Sequence, residues 1–455
     1  MRYHVVGIGG MGMSAVARLL LARGDDVSGS DRGSWPLAEA LAADGATVAS
    51  SFAAANVEGA DVVIRSSAYD DANPEVAAAR AKSIPVWKRE DAWRELAKGT
   101  RVVAVAGTHG KSTTSALAWS ALRAGGLDPS LICGAVLRDL GTNAYAGGGD
   151  ILVIEADEYD RAFLALEPEV ALVTNVEHDH IDVFPTRADV EEAFVRFVAG
   201  IVPGGWLVAC ADEPAAARLA ARGERELPGR QVATYGMAST AGYRVVDLRQ
   251  GAGGVSFHLA GPFGVPVPIS LRLAGAHNAR NAAGALAAAD AFGVPAIAAA
   301  QAFATFGGTE RRLEELGSAD GITVIDDYAH HPTEIRASID AMRARNSGRV
   351  VVLFQPHTPS RLRAFFEDFV AALRTADERV VAETFSSARE APDQRGGARE
   401  LASRAGAAYV LDAESGARAL AERARPGDLV LVLGAGDIRP AGVRLLELLR
   451  ERATV

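Results

Sequence analysis

The stretch "VAVAGTHGKSTTSAL", residues 103–117, constrains this chain more than any other. It runs from an apolar strand through a glycine turn into a helix rich in hydroxyls and alanine, with a lysine where turn meets helix. Backbone N–H groups around Gly107 and Gly110 can face phosphate oxygens, Lys111 adds a point charge, and the Ser112 hydroxyl can reach a divalent cation. The usual P-loop spacing G-x-x-x-x-G-K-[ST] is not met, because Val105 stands where its first glycine belongs. Read alone, the segment fits either a compact phosphate cradle or a strand-to-helix turn with a solvated lysine.

A second glycine loop opens the chain. "GIGGMGMS" sets Gly7, Gly9 and Gly12 in G-x-G-x-x-G order between the strand "RYHVVGI" and the helix "MSAVARLLLARG". Glycines let a diphosphate approach the backbone, and the helix start offers free N–H groups and a partial positive charge. Asp31 follows at the end of the next strand, where a carboxylate can accept from a ribose hydroxyl. Such a loop specifies a diphosphate, not its nucleotide; NAD and a UDP-sugar both fit.

Strands alternate with helices along nearly all of the 455 residues, a length that favours about three domains. The expected layout is α/β throughout. Residues 1–98 form a Rossmann-like domain, 99–315 a central P-loop ATPase-type domain, and 316–455 a second Rossmann-like domain. Between 233 and 273, alternating residues around Gly-rich turns predict antiparallel hairpins added to the central domain. The formal charge of −10 disfavours nucleic acid or an anionic membrane as partner, so an anionic substrate needs a local cluster of positive groups. Two cysteines outside any C-x-x-C pattern, with no signal-peptide layout, lead us to expect a reduced, cytoplasmic protein. The most apolar long segment breaks at Gly293-Val294-Pro295 and reads as two packed helices, not a membrane span.

Two further strand ends carry acids. "ILVIEADEYD" ends with Glu155, Asp157, Glu158 and Asp160, and "ALVTNVEHDHID" with Glu177, His178, Asp179, His180 and Asp182. The carboxyl ends of parallel strands are where α/β sheets bind ligands. Mg²⁺ prefers oxygen, which favours Ser112 and Glu155 as ligands. His180 would suit zinc better, but no cysteine accompanies it.

Together with "AGAHNARNA", "GTERRLEEL", "DDYAHHPTEI", "QPHTPSR" and "GAGDI", these motifs resemble the Mur ligase family, in that family's order and over essentially the whole chain. In that family the shortened G-T-x-G-K-[ST] loop is an ATP site. The resemblance implies an ATP-dependent ligase that joins L-alanine to the carboxylate of UDP-N-acetylmuramate through an acyl phosphate, for peptidoglycan precursors. It implies ATP contacts from Gly107, Thr108, His109, Gly110, Lys111, Ser112 and Thr113. His277, Asn278, Asn281, Arg312 and Asp327 would add to them; Asn278 and Asn281, three residues apart, share a helical face. Two Mg²⁺ ions are implied, one on Ser112 and Glu155 and a second on His180.

The UDP-sugar would lie on Gly7, Gly9, Gly10, Met11, Gly12, Asp31, Ser66 and Ser67, with Asn143 of the Gly-rich "GTNAYAGGGD" touching the sugar. Tyr328, His330 and Arg361 would line the amino-acid end. Lys111, Glu155, His180, His330 and Arg361 would carry the chemistry. Three departures stand out: Ser112 where threonine is usual, Tyr159 where serine is common, and Pro359 where an aromatic is common. The last two are expected near the acceptor and bear on the choice of amino acid. Alternatives on these residues are a ligase adding a preformed murein peptide to the same sugar nucleotide and, more remotely, a nicotinamide dehydrogenase, which would leave Lys111, Glu155 and His180 idle.

Overall fold

The computed structural model describes residues 1–345, 347–386 and 397–453. Three sheets appear, as the three-domain α/β expectation requires. The first contains β1 (Arg2–Val6), β2 (Asp26–Ser30), β3 (Thr47–Ala49), β4 (Val62–Arg65) and β5 (Val86–Lys88), all parallel in the order β3-β2-β1-β4-β5. The order turns at β1, so the glycine loop that leaves its carboxyl end sits at the switch point where such sheets take ligands.

The second sheet contains β6 (Arg101–Ala106), β7 (Ser130–Leu137), β8 (Thr142–Tyr145), β9 (Ile151–Glu155), β10 (Val170–Val173), β11 (Trp206–Cys210), β12 (Gln231–Gly236), β13 (Tyr243–Gly251), β14 (Gly254–Ala260) and β15 (Val267–Leu271). Its order is β15-β14-β13-β12-β11-β10-β6-β9-β7-β8. β6 lies between β10 and β9 and is parallel to both. Their apolar runs are buried on both faces, which is why they read as unbroken hydrophobic stretches. This ordering brings the ends of β6, β9 and β10 side by side, although they are far apart in sequence. The hairpin expectation holds for β13 and β14, whose two-residue connection admits only antiparallel pairing. A second hairpin, β7–β8, was not expected; Thr142–Tyr145 is a strand rather than a Gly-rich loop.

The third sheet contains β16 (Glu314–Ala319), β17 (Ile322–Asp327), β18 (Val350–Phe354), β19 (Glu378–Ala382), β20 (Ala408–Val410) and β21 (Leu429–Leu433) in the order β16-β17-β21-β18-β19-β20. All its pairings are parallel except β16 with β17. Apolar side chains fill both of its faces, with Ile325, Phe354 and Leu431 toward one and Val324, Leu353 and Val432 toward the other.

The chain forms two compact units: Met1–Val246 with His258–Ile269 and Arg280–Gly307, and Asp247–Phe257 with Ser270–Ala279 and Gly308–Val455. The first unit therefore holds the first sheet and most of the second. Among the described residues no helix is long and apolar enough to cross a membrane. The apolar segment is two helices, Ala276–Asp290 and Ala296–Thr305, parted at Gly293.

Candidate active site

The loop after β6 is a built cradle. Gly107 has φ +141°, and a Cβ there would fall 2.0 Å from Thr174 Oγ1; Gly110 has φ +80° and caps the helix Lys111–Ala124. Both positions demand glycine. Val105 belongs to β6 and is fully buried, so the turn begins two residues later than in the longer loop. Residues after β10 hold the turn's shape. Thr174 Oγ1 donates to His109 O at 2.7 Å, and the Asn175 side chain accepts from His109 N at 2.8 Å and donates to His109 O at 2.9 Å. Thr108 Oγ1 donates to Glu177 O and accepts from Glu177 N. A chance turn would not be tied down in this way, and Thr174 and Asn175 were not foreseen.

Lys111 points back into the turn. Its Nζ donates to Gly107 O at 2.5 Å, to Thr108 O at 3.2 Å and to both Glu158 oxygens, at 2.8 and 3.2 Å. Burial works against the ammonium, but Glu158, Asp157 and Glu155 outweigh it and hold the Lys111 pKa above its ordinary value. Burial pushes the Glu158 carboxyl up while Lys111 pulls it down. With two carbonyl oxygens also on Nζ, the charged ammonium is the form this site holds.

Ser112 Oγ donates to Glu155 Oε1 at 3.1 Å, and Gly134 N donates to Glu155 Oε2 at 2.6 Å. A hydroxyl and a carboxylate side by side are the hard oxygen donors that Mg²⁺ takes. A second group forms from Asp157, Glu158 and His180, whose ligand atoms lie within 4.8 Å of one another. His180 sits at φ +51°, its N–H on Asp179 Oδ1 and its ring against Tyr159, whose hydroxyl donates to Asp182. The structure thus brings Ser112 together with Glu155, and His180 together with Asp157 and Glu158. In the sequence, Asp157 and Glu158 read only as acids at a strand end. Asp157 is pushed up by burial, but Arg89, Lys111 and His180 outweigh this and hold it below the usual carboxylate range. Thr113 is buried in the helix, and the Asn281 amide lies against Gly110.

At the first loop, Gly10 N donates to Gly7 O, and Asp31 accepts from Gly9 N at 3.0 Å, from Arg32 N at 2.8 Å and from the Tyr69 hydroxyl at 3.4 Å. The acid therefore braces the loop. Met11 and Trp35 flank it with 43% and 47% of their surface exposed. Ser66 Oγ accepts from Ala68 N, and Ser67 Oγ donates to Asp160. Asn143, expected to touch a sugar, is completely buried; its side-chain amide donates to Met11 O at 2.5 Å and Ser14 Oγ at 3.2 Å, supporting the loop from beneath.

In the second unit, Asp327 is buried and accepts from Leu313 N and Ala329 N, both at 2.7 Å; burial pushes its pKa up to about 6. Arg312 meets Glu334 at 3.4 Å and lies over the Tyr328 ring. His330 bonds Tyr328 O and approaches Glu334 at 3.3 Å, and its ring faces His357. Arg361, also buried, donates to His357 O at 3.2 Å from the short helix that Pro359 begins. Tyr328, His330 and Glu334 thus form one cluster, with His357 linking it toward Arg361. His277 turns its ring toward Gly275, and Asn278 donates to Ala274 O at 2.8 Å.

Three family models account for almost the whole chain: the Mur ligase catalytic domain over residues 2–101, the Mur ligase middle domain over 105–289 and the Mur ligase glutamate ligase domain over 311–436. The UDP-N-acetylmuramate–L-alanine ligase of Thermobifida fusca is 42% identical, across 98% of this chain and 96% of its own length. This chain belongs to the Mur ligase family. The UDP-N-acetylmuramate–L-alanine ligase of Kineococcus radiotolerans is 44% identical across 99% of this Mur ligase and 97% of its own length. Among solved structures, the UDP-N-acetylmuramate–alanine ligase of Thermotoga maritima superposes with a TM-score of 0.83 at 26% identity, covering 100% of both chains. A murein peptide ligase of Psychrobacter arcticus superposes at 0.73 and 22% identity, covering 99% of each, a likeness of fold alone.

Proposed function

We propose that this Mur ligase joins L-alanine to the carboxylate of UDP-N-acetylmuramate, converting ATP to ADP and phosphate in the synthesis of peptidoglycan precursors. The observation that carries the chemistry is the compact loop in which Lys111 faces the turn beside the Ser112–Glu155 pair. The alignment of full-length relatives bearing this activity in their names supports the choice of substrates.

A carboxylate does not condense with an amine in water, because oxide is a poor leaving group. In the first step a carboxylate oxygen attacks the γ-phosphorus, the bond to the β–γ bridging oxygen breaks, and ADP leaves. The alanine amine then attacks the acyl carbon, loses its proton, and the tetrahedral intermediate expels phosphate. The protein's contribution is placement and charge neutralisation. Lys111 exchanges Glu158 and the loop carbonyls for the γ-phosphoryl oxygens, and the N–H groups of residues 110–112, where turn meets helix, face the β-phosphate.

Ser112 and Glu155 would hold one Mg²⁺ and His180 a second, and these ions would supply positive charge to neutralise the reacting phosphates. We assign ATP contacts also to His277, Asn278, Asn281, Arg312 and Asp327, and the UDP moiety to the first glycine loop with Asp31, Ser66 and Ser67. The alanine is assigned to Tyr328, His330 and Arg361, where a guanidinium fork suits a carboxylate. Soluble nucleotide substrates support a cytoplasmic reaction.

The test is ADP release with UDP-N-acetylmuramate and either free L-alanine or a murein tripeptide, with and without Mg²⁺. Turnover with L-alanine that needs Mg²⁺ is expected. Turnover with the tripeptide alone would overturn the substrate assignment, and no nucleotide-dependent turnover would overturn the reaction.

A further inference from the structure

The acid-rich turn after β9 is gripped from the first sheet. β5 runs directly into the helix Arg89–Leu96. At that junction Arg89 Nη2 lies 3.0 Å from Asp157, and Lys88 Nζ lies 3.6 Å from Asp160. Ser67 Oγ reaches the same Asp160 oxygen at 3.3 Å. The next two residues after Tyr159 need this grip: Asp160 and Arg161 both have φ +57°, a left-handed conformation that non-glycine residues keep only where their surroundings impose it. Within the turn sits Glu158, the carboxylate that holds Lys111. Arg89 also packs against the other loop. Its guanidinium lies over Trp93 at 4.7 Å, and a Cβ on Gly12 would come within 3.3 Å of its Cδ. One side chain thus touches the first glycine loop at one end and, through Asp157 and its neighbour Glu158, reaches the lysine of the second loop at the other.

We propose that Arg89 is a positioning residue for the phosphate loop: although it opens the helix that follows β5 and lies on the first glycine loop, its bond to Asp157 fixes the turn that sets Glu158 against Lys111. Its loss is therefore felt at ATP more than at the uridine nucleotide. The kinetic side of this rests on the ligase reading; the binding side does not.

Calorimetric titration of the full chain with a non-hydrolysable ATP analogue, and separately with UDP, tests it. Arg89→Gln and Asp157→Asn should each weaken the ATP analogue about tenfold, and the double variant should be no weaker than either single one, because both remove the same contact. UDP binding should shift less than about threefold, and Arg89→Lys should recover part of the loss. Lys88→Gln, which loosens the other grip, should act in the same direction more weakly. In turnover, KM for ATP should rise more than KM for the UDP-sugar. A folded Arg89→Gln protein with unchanged ATP-analogue affinity would overturn the proposal, as would losses that add in the double variant. So would a loss confined to UDP, which would make Arg89 a support of the first loop only. If Arg89→Gln does not fold, Asp157→Asn and Lys88→Gln carry the same comparison. A wild-type chain that binds the ATP analogue but shows no ligase turnover would defeat the reaction assignment while leaving this binding test intact.

Discussion

The loops after β1 and β6 are built alike and charged differently. Each leaves the carboxyl end of a parallel strand, turns on glycine at positive φ (Gly7 in the first loop, Gly107 and Gly110 in the second) and enters a helix. In the first loop the charged group is an acid, Asp31, which accepts from the loop's own N–H. In the second it is a base, Lys111, which donates to the loop's own carbonyls and is balanced by a buried carboxylate. A glycine turn supplies the same backbone cradle in both cases. On the proposed function, what lies beside it decides whether the phosphate is only held or is also transferred. A diphosphate that must stay intact needs N–H groups and an anchor for its ribose; a terminal phosphoryl group in flight needs mobile positive charge.

The largest effect expected from breaking this comparison is at Lys111. Lys111→Ala should lower ADP release by about a thousandfold or more, with UDP affinity unchanged, if the second loop alone handles the transferred phosphoryl group as proposed. Next comes Gly107→Ala. The added methyl would meet Thr174 in a backbone region closed to alanine, so ATP-analogue binding measured by calorimetry should fall about a hundredfold while the far-ultraviolet circular dichroism stays intact.

Glu158→Gln sharpens the role of the balancing acid. Lys111 would lose its ionic partner but keep the carbonyls, and kcat should drop about tenfold with a smaller change in KM for the UDP-sugar. Asp31→Asn should act in the opposite place: UDP binding weakens about fivefold as the brace on Gly9 loosens, and ATP-analogue affinity is unchanged.

The smallest effect on either loop is expected from Asp327, which lies in the second unit with its pKa pushed up to about 6 by burial. A carboxyl raised in the folded state favours folding below its unfolded pKa of about 4, and that advantage is lost as pH rises through about 6. Wild-type stability should therefore fall relative to Asp327→Asn between pH 4 and 6 and run parallel above it, as followed by urea denaturation across that range.

Much of this is legible in the sequence. Lys111, Ser112 and Glu155 are legible because Glu155 ends an apolar strand and Lys111 and Ser112 open the helix that follows another, and the chemistry of α/β sheets gathers at such ends. Thr174 and Asn175 were not read, because their bonds to the loop depend on β10 lying beside β6, an ordering that no local pattern encodes. Glu158 was seen as an acid, but its role as partner to Lys111 follows from the left-handed turn after Tyr159. Asn143 went the other way. Among glycines it looked like part of an open loop, yet the strand Thr142–Tyr145 buries it beneath Met11. Glycine content predicts turns well only where no neighbouring strand recruits the segment between them.

The placement of Trp35 has a practical consequence. Its indole stands half in solvent at the rim of the first loop, its ring against Gly9 and its N–H on Arg32 O, while Trp93 and Trp119 are sealed in the interior. Arrival of a uridine nucleotide would displace water from that ring and shift its emission toward the blue, giving an unlabelled optical readout of occupancy that acrylamide quenching could follow in real time.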